Sequence, residues 1–185
     1  GAAMNPFKPP LRPPGAVSEK EFPVRCIRCG RCVETCPHDS IRLVEGFGAS
    51  RLTPHVIPSE HPCLLCMKCP PVCPSGALDN TLTDMKRVHM GRAFILRDRC
   101  HNYTDGTICM TCYDRCPLRG RAVELEDGLI PRITSACAGC GMCEYVCPVG
   151  AIEIYPKSAH WVPASAVPTK HAEEPDPMPE KEAHP

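Results

Sequence analysis

The chain has 185 residues, with 16 Cys and 23 Pro but only one Trp, four Tyr and four Phe. Lys plus Arg and Asp plus Glu number 21 each, so neither a basic nucleic-acid footprint nor an acidic one stands out. No run of 18 apolar residues marks a membrane helix, no basic start followed by an apolar stretch marks a signal peptide, and cysteine at this density marks a disulfide scaffold or a metal protein.

Residues 1–21 carry five prolines, in Asn5-Pro6, Pro9-Pro10 and Pro13-Pro14, and residues 163–185 carry six more. Such composition buries too little apolar surface to offset chain entropy. Both ends are therefore expected to be extended arms, the second one acidic, that contribute little to a central domain over 22–162. The domain itself is a repeat. Its first segment is Cys26, Cys29, Cys32, Cys36-Pro37, and its second is Cys63, Cys66, Cys69, Cys73-Pro74. The fourth is Cys137, Cys140, Cys143, Cys147-Pro148, and all three read C-x2-C-x2-C-x3-C-P. The third is stretched: eight residues separate Cys100 from Cys109, with Cys112 and Cys116-Pro117 following. Every cysteine belongs to one of these runs.

Short strand signals lie at Ile41–Val44, Ala93–Leu96, Ala122–Leu125, Leu129–Ile133 and Ala151–Ile154. Glu126-Asp127-Gly128 has the chemistry of a hairpin turn. Helices are expected only as a turn or two after each third cysteine, stopped by the proline that follows the fourth.

The spacing is that of bacterial ferredoxins with cubane [4Fe–4S] clusters. Three thiolates two residues apart wrap one face of a cube, and the fourth cysteine of each run reaches the other cluster of a pair. Two bland alternatives compete. Disulfides suit an even count, but four cysteines within eleven residues pair with poor geometry. Zinc usually gathers two separated pairs of ligands, not three plus one with a proline behind. Four clusters would each add a charge of about −2 oxidised or −3 reduced. Arg25, Arg28, Arg31, Lys68, Arg97, Arg99, Arg115 and Arg119 would then sit beside negative charge, although as individuals they read as ordinary solvated residues. His38 and His101 adjoin ligand positions but replace no missing cysteine. Met67, Met110 and Met142 read as packing, and Tyr103, Tyr113 and Tyr145 as shielding. No G-x-G-x-x-G, P-loop, C-x3-C-x2-C or G-x-S-x-G occurs, so no nucleotide, flavin, radical or hydrolase chemistry is signalled.

Several further motifs resemble one family. They are Leu11-Arg12-Pro13-Pro14-Gly15-Ala16, Cys26-Ile-Arg-Cys29-Gly-Arg-Cys32, Cys73-Pro-Ser-Gly-Ala-Leu78-Asp79, Met90-Gly91-Arg92-Ala93 and the stretched Cys100 to Tyr113 segment. From Leu11 to Ile154 the chain resembles the NapG/MauM ferredoxin-type proteins. The resemblance implies a non-catalytic electron-transfer subunit with four [4Fe–4S] clusters. Its partner would be a NapH-like membrane quinol dehydrogenase subunit, and its acceptor a periplasmic reductase or c-type cytochrome, with no nucleic acid involved. It also implies a periplasmic protein peripherally attached to the membrane; a cytoplasmic place is the alternative, since the family's twin-arginine signal is missing from this sequence. A polyferredoxin carrier without a fixed partner is the alternative function. The expected fold is α+β, with two ferredoxin-like two-cluster modules in one domain between Pro-rich arms.

Resemblance to four-cluster subunits of molybdenum enzymes pairs run one with run four and run two with run three. The ligand sets would then be Cys26, Cys29, Cys32 with Cys147, and Cys137, Cys140, Cys143 with Cys36. The other two would be Cys63, Cys66, Cys69 with Cys116, and Cys100, Cys109, Cys112 with Cys73. On this pairing Ile41–Val44 meets Ile130–Ile133. Sequential pairing, one with two and three with four, stays open because connector lengths allow both.

Overall fold

A computed structural model of the chain describes residues 9–45 and 50–159. In order, its elements are α1 (Phe22–Arg25), α2 (Arg31–Glu34), β1 (Ile41–Val44), β2 (Thr53–Val56), a 3-10 turn at Met85–Arg87, β3 (Gly91–Ile95), α3 (His101–Thr104), α4 (Thr111–Asp114), β4 (Val123–Glu126), β5 (Ile130–Ile133), α5 (Met142–Val146) and β6 (Ile152–Pro156). The mixed α/β character agrees with expectation. No helix among the described residues is long and apolar enough to cross a membrane.

The helices are stubs for a reason visible in the runs. Three of them contain the third cysteine itself: Cys32 in α2, Cys112 in α4 and Cys143 in α5. A proline behind the fourth cysteine, at Pro37, Pro117 and Pro148, lacks the amide a further turn would need. Run two has no helix because Pro70 and Pro71 follow Cys69 directly.

Among the described residues the strands form three two-stranded antiparallel sheets. β1 pairs with β2 between runs one and two, with Ile41 opposite Val56. β4 pairs with β5 between runs three and four, with Val123 opposite Ile133. The expected tight turn joins them: Asp127 and Gly128 both have positive φ, 51° and 74°, as a primed hairpin turn requires. β3 and β6 flank runs three and four and pair with Ala93 opposite Ile154. Ala16 and Leu78 form the matching closure around runs one and two, reduced to an isolated bridge.

This topology overturns the expected meeting of Ile41–Val44 with Ile130–Ile133. β1 and β5 instead take the strands nearest to them along the chain, β2 and β4, where closing the loop costs least entropy. The strand leading into Cys63, the alternative partner, is the one β1 uses.

The core is aliphatic and sulfur-rich. Phe22, Leu65, Leu78, Val88, Val123 and Ile154 are its largest fully buried apolar side chains, and Cys26, Cys63, Cys69, Cys112, Cys137, Cys140 and Cys143 lie among them. Cysteine thus fills space that aromatics usually occupy.

The N-terminal segment departs from expectation. Residues 1–8 lie outside the described residues, as does the whole acidic tail over 163–185. From Leu11 onward, however, the segment is built into the fold. Leu11, Arg12, Pro13, Pro14 and Ala16 are buried. The Val56 amide donates to Leu11 O at 2.8 Å, Asp79 N to Gly15 O at 2.7 Å, and Val17 N to Ala77 O at 3.1 Å. Arg12 is the knot. Its guanidinium forks onto Glu19 at 2.7 and 2.6 Å, donates to Thr53 Oγ1 at 2.7 Å and Pro54 O at 3.2 Å, and lies 4.4 Å over the Phe22 ring. Burial and the Arg12 charge push the neighbouring His55 down to about 4, so it packs as a neutral ring. The proline-rich composition misleads here because Arg12 supplies the pairing that apolar area does not.

Arg12→Ala would leave Glu19 and Thr53 without their buried partner. It is expected to cost about 3 kcal/mol, and Arg12→Lys to recover little, because an ammonium cannot fork onto a carboxylate. Chemical denaturation of the full-length protein measures both; a loss below about 1 kcal/mol in Arg12→Ala would contradict the assignment.

Candidate metal centres

All sixteen cysteines are unpaired thiols, so the disulfide reading fails. They form four groups. The Cys32 thiol feels the charges of Cys26, Cys29 and Cys73; burial, the larger cause, and those neighbours push it up to about 11. The Cys63 thiol feels Cys66 and Cys36, and burial pushes it to about 11 as well. Cys112, raised to about 12 mainly by burial, feels Cys100, Cys109 and Cys147. Cys143, raised well above the usual thiol range by burial, feels Cys137, Cys140 and Cys116.

The expected pairing of run one with run four is thereby corrected. Cys36 lies with Cys63 and Cys66, not with Cys137, and Cys73 lies with run one, not with run three. Cys147 accompanies run three and Cys116 accompanies run four. The fourth cysteine of each run does cross over, but to the adjacent run in sequence. The hairpins explain why: β1–β2 returns the chain after Cys36 straight to Cys63, and β4–β5 returns it after Cys116 to Cys137.

Two of the groups surround open space. Cys26, Cys29, Cys32 and Cys73 line a hollow walled by Phe22, Leu43 and Leu78. Cys100, Cys109, Cys112 and Cys147 line another walled by Ile95 and Ile152. Four sulfurs around a cavity of this kind fit a cube better than one ion. No three His, Cys, Asp or Glu side chains among the described residues converge tightly enough to hold a single metal ion, whereas zinc needs four donors within about 2.3 Å of one point.

The loops are shaped by two left-handed residues at equivalent positions. In run one they are Arg28 and Gly30, with φ 57° and 76°; in run two Leu65 and Met67, with φ 53° and 57°; in run four Gly139 and Gly141, with φ 71° and 88°. Alternating right- and left-handed residues turn successive amides toward one concave side, where they stabilise negative charge. Amides also reach the sulfurs of the crossing cysteines: Leu78 N to Cys73 Sγ at 3.4 Å and Ala151 N to Cys147 Sγ at 3.2 Å. Burial would raise the Cys73 thiol, but the Leu78 amide and the Ser75 hydroxyl outweigh it and lower it.

Run three has none of those left-handed turns; Met110 sits at φ −113°. Another device replaces them. Asn102, on α3, donates to Cys109 O at 2.8 Å and accepts from Cys109 N at 3.1 Å, and its amide lies 3.8 Å from Cys100 Sγ. One side chain thus closes the eight-residue gap. Asp105 steadies the same loop by accepting from Thr107 N at 2.9 Å and bonding His101 Nδ1 at 2.9 Å; these bonds, the Thr107 amide first, hold its carboxyl down at about 2. Neither role is visible in spacing alone. The sequence signal for Asn102 is its place two residues after Cys100 and seven before Cys109.

The other expected residues divide. Arg97 and Arg119 lie 5.2 and 5.8 Å from the Tyr103 and Tyr113 rings, which pack beside the core. Tyr145 is 54 % exposed. Arg28 donates to Cys26 O at 3.3 Å and Arg51 O at 3.0 Å, so it ties its loop down. His101 is hydrogen-bonded to Asp105 and stands in for no ligand. Met67 and Met142 pack against the core as expected.

Comparison with known proteins agrees with this geometry. A family model described as a 4Fe-4S dicluster domain matches residues 25–77, which span runs one and two, and a 4Fe-4S binding domain matches residues 130–153. The methylamine utilization ferredoxin-type protein MauM of Methylorubrum extorquens is 40 % identical over 161 residues, covering 80 % of this chain and 73 % of that protein. MauM of Paracoccus denitrificans is 40 % identical over 80 % of this chain and 71 % of its own length. The ferredoxin-type protein NapG of Escherichia coli is 38 % identical over 165 residues, with the same two coverages. The chain belongs to the NapG/MauM family. It is a ferredoxin-type iron–sulfur protein of electron transfer.

Two variants test the loops. Asn102→Ala is expected to shed the irons of the stretched run first, about four per chain, with the rest retained; iron analysis after brief chelator exposure reads this, and uniform loss would refute it. Met67→Gly should keep its iron and resist chelation at least as well as the parent, because glycine takes φ 57° without penalty. Met67→Val should shed iron faster, since a β-branched side chain resists that conformation.

Proposed function

We propose that the chain holds four [4Fe–4S] clusters as two two-cluster units and passes electrons from a membrane quinol-oxidising partner to a periplasmic reductase or c-type cytochrome. The ligand sets are Cys26, Cys29, Cys32 with Cys73; Cys63, Cys66, Cys69 with Cys36; Cys100, Cys109, Cys112 with Cys147; and Cys137, Cys140, Cys143 with Cys116. The observation that carries the reading is the gathering of sixteen unpaired thiols into four such sets, each made of three cysteines of one run and one of its neighbour.

When bound, each cluster would accept and return one electron. The chain's own residues supply the conditions. Buried Cys63, Cys69, Cys140 and Cys143 are held among aliphatic side chains that exclude water. Burial raises Cys69, Cys140 and Cys143, so as free groups these stay protonated and the pocket gains its anionic form only with a metal present. Inward amides then stabilise the sulfur charge that reduction increases. Cys29 and Cys66 are exposed, which brings their loops close to anything docking there.

Membership of the family supports the quinol-oxidising partner and the periplasmic place. Association at the membrane would be peripheral.

Anaerobically prepared protein is expected to carry close to sixteen iron and sixteen sulfide, a number set by four cubane clusters at about four iron each. A value near eight in active protein would overturn the four-cluster reading. Copurification with a quinol-oxidising membrane protein supports the wire function, and full iron loading with no such partner identifies a free carrier instead. Removing the iron should collapse circular dichroism and protease resistance together, because ligation energy is folding energy in a core this poor in aromatics.

A further inference from the structure

The four thiol groups are not equivalent in their contacts. Cys69 feels Cys32, which joins the first two sets, and Cys143 feels Cys112, which joins the last two. The inner sets meet across the halves. Cys140 feels Cys63, and the Cys63 amide donates to Cys140 O at 2.9 Å. Beside it Met90 N donates to Ala138 O at 2.9 Å. The sets therefore run in the order Cys26, Cys63, Cys137, Cys100, which is not their order along the chain.

This closeness depends on a residue without a side chain: a Cβ on Gly141 would strike the Pro58 ring. Gly30 holds the same position in run one as Gly141 in run four: each caps the helix carrying the third cysteine, with φ 76° and 88°. Yet a Cβ on Gly30 meets only the tip of Glu34, 4.0 Å away. Left-handed backbone explains glycine at both positions; the absence of room explains it only at Gly141.

We propose that Gly141 is a positioning residue for electron passage between the halves: by letting the Cys140 backbone touch that of Cys63, it makes these inner sets the bridge and the Cys26 and Cys100 sets the terminals of one wire. This rests on the four-cluster reading. The step is a one-electron exchange: one half is oxidised by one electron, the other is reduced by it, no bond is broken and no proton moves. Tunnelling falls steeply with separation and is better served by bonded atoms than by a gap, so the Cys63–Cys140 hydrogen bond is the short route.

The test compares Gly141→Ala, Gly30→Ala and the double variant Gly141→Ala with Pro58→Gly in iron-loaded full-length protein. Iron content checks the underlying reading. Electron paramagnetic resonance of the fully reduced protein reads magnetic interaction between sets, and hydrogen exchange reads the Cys63 amide. Gly141→Ala is expected to lose part of the interaction seen in the parent and to speed exchange at Cys63. Gly30→Ala should keep both at parental values, and opening space at Pro58 should restore them in the double variant. An unchanged interaction in Gly141→Ala, an equal defect in Gly30→Ala, or no recovery in the double variant overturns the proposal. If the parent itself binds far fewer than sixteen irons, the four-cluster reading falls, and this inference with it.

Discussion

A loop bearing cysteines two residues apart has to hold three sulfurs around one hollow while its own amides face the same way. Ordinary right-handed or extended backbone does not do this. The loops of runs one, two and four solve it with two left-handed residues each. Arg28, Leu65 and Met67 accept that conformation although they are not glycine, at a cost of about 1–3 kcal/mol per residue. Much else follows. The stub helices begin where the second left-handed residue ends, at Gly30 and Gly141, and place the third cysteine in their first turn. The hairpins bring the next run close enough for the fourth cysteine to cross.

The departure in run three is instructive. With eight residues between its first two cysteines, the chain cannot use the same alternation and instead borrows Asn102, whose amide mimics a backbone partner for Cys109 on both its N–H and its C=O. A side chain replaces a turn. The two solutions coexist because what matters chemically is where the sulfurs and donors end up, not the path of the chain between them.

Most of the local structure was legible before any coordinates. Sixteen cysteines in four runs, the hairpin turn at Asp127-Gly128 and the prolines that end each run all act over a few residues, and pattern reads such features well. Partner choice was not legible. Three of the four runs have identical spacing, so nothing in run one distinguishes run two from run four; the decision is made by the hairpin β1–β2, which delivers Cys63 beside Cys36. The burial of Leu11–Ala16 was missed for a related reason. Five prolines within residues 1–21 describe a stiff chain, but whether it docks depends on Glu19, Thr53 and Phe22 meeting Arg12, and that is a three-dimensional fact.

The two closures differ in strength. β3 and β6 seal the second half with five paired positions, whereas Ala16 and Leu78 seal the first with an isolated bridge. Lys157, just beyond β6, donates to Ala16 O at 2.8 Å and so fastens the weaker closure from the far end of the described chain. During synthesis from the N-terminus, every thiol of the first half is present before any of the second, yet its final latch arrives after Cys147. The first half therefore gains this contact only once the chain has been made through Lys157, when all sixteen thiols are already present.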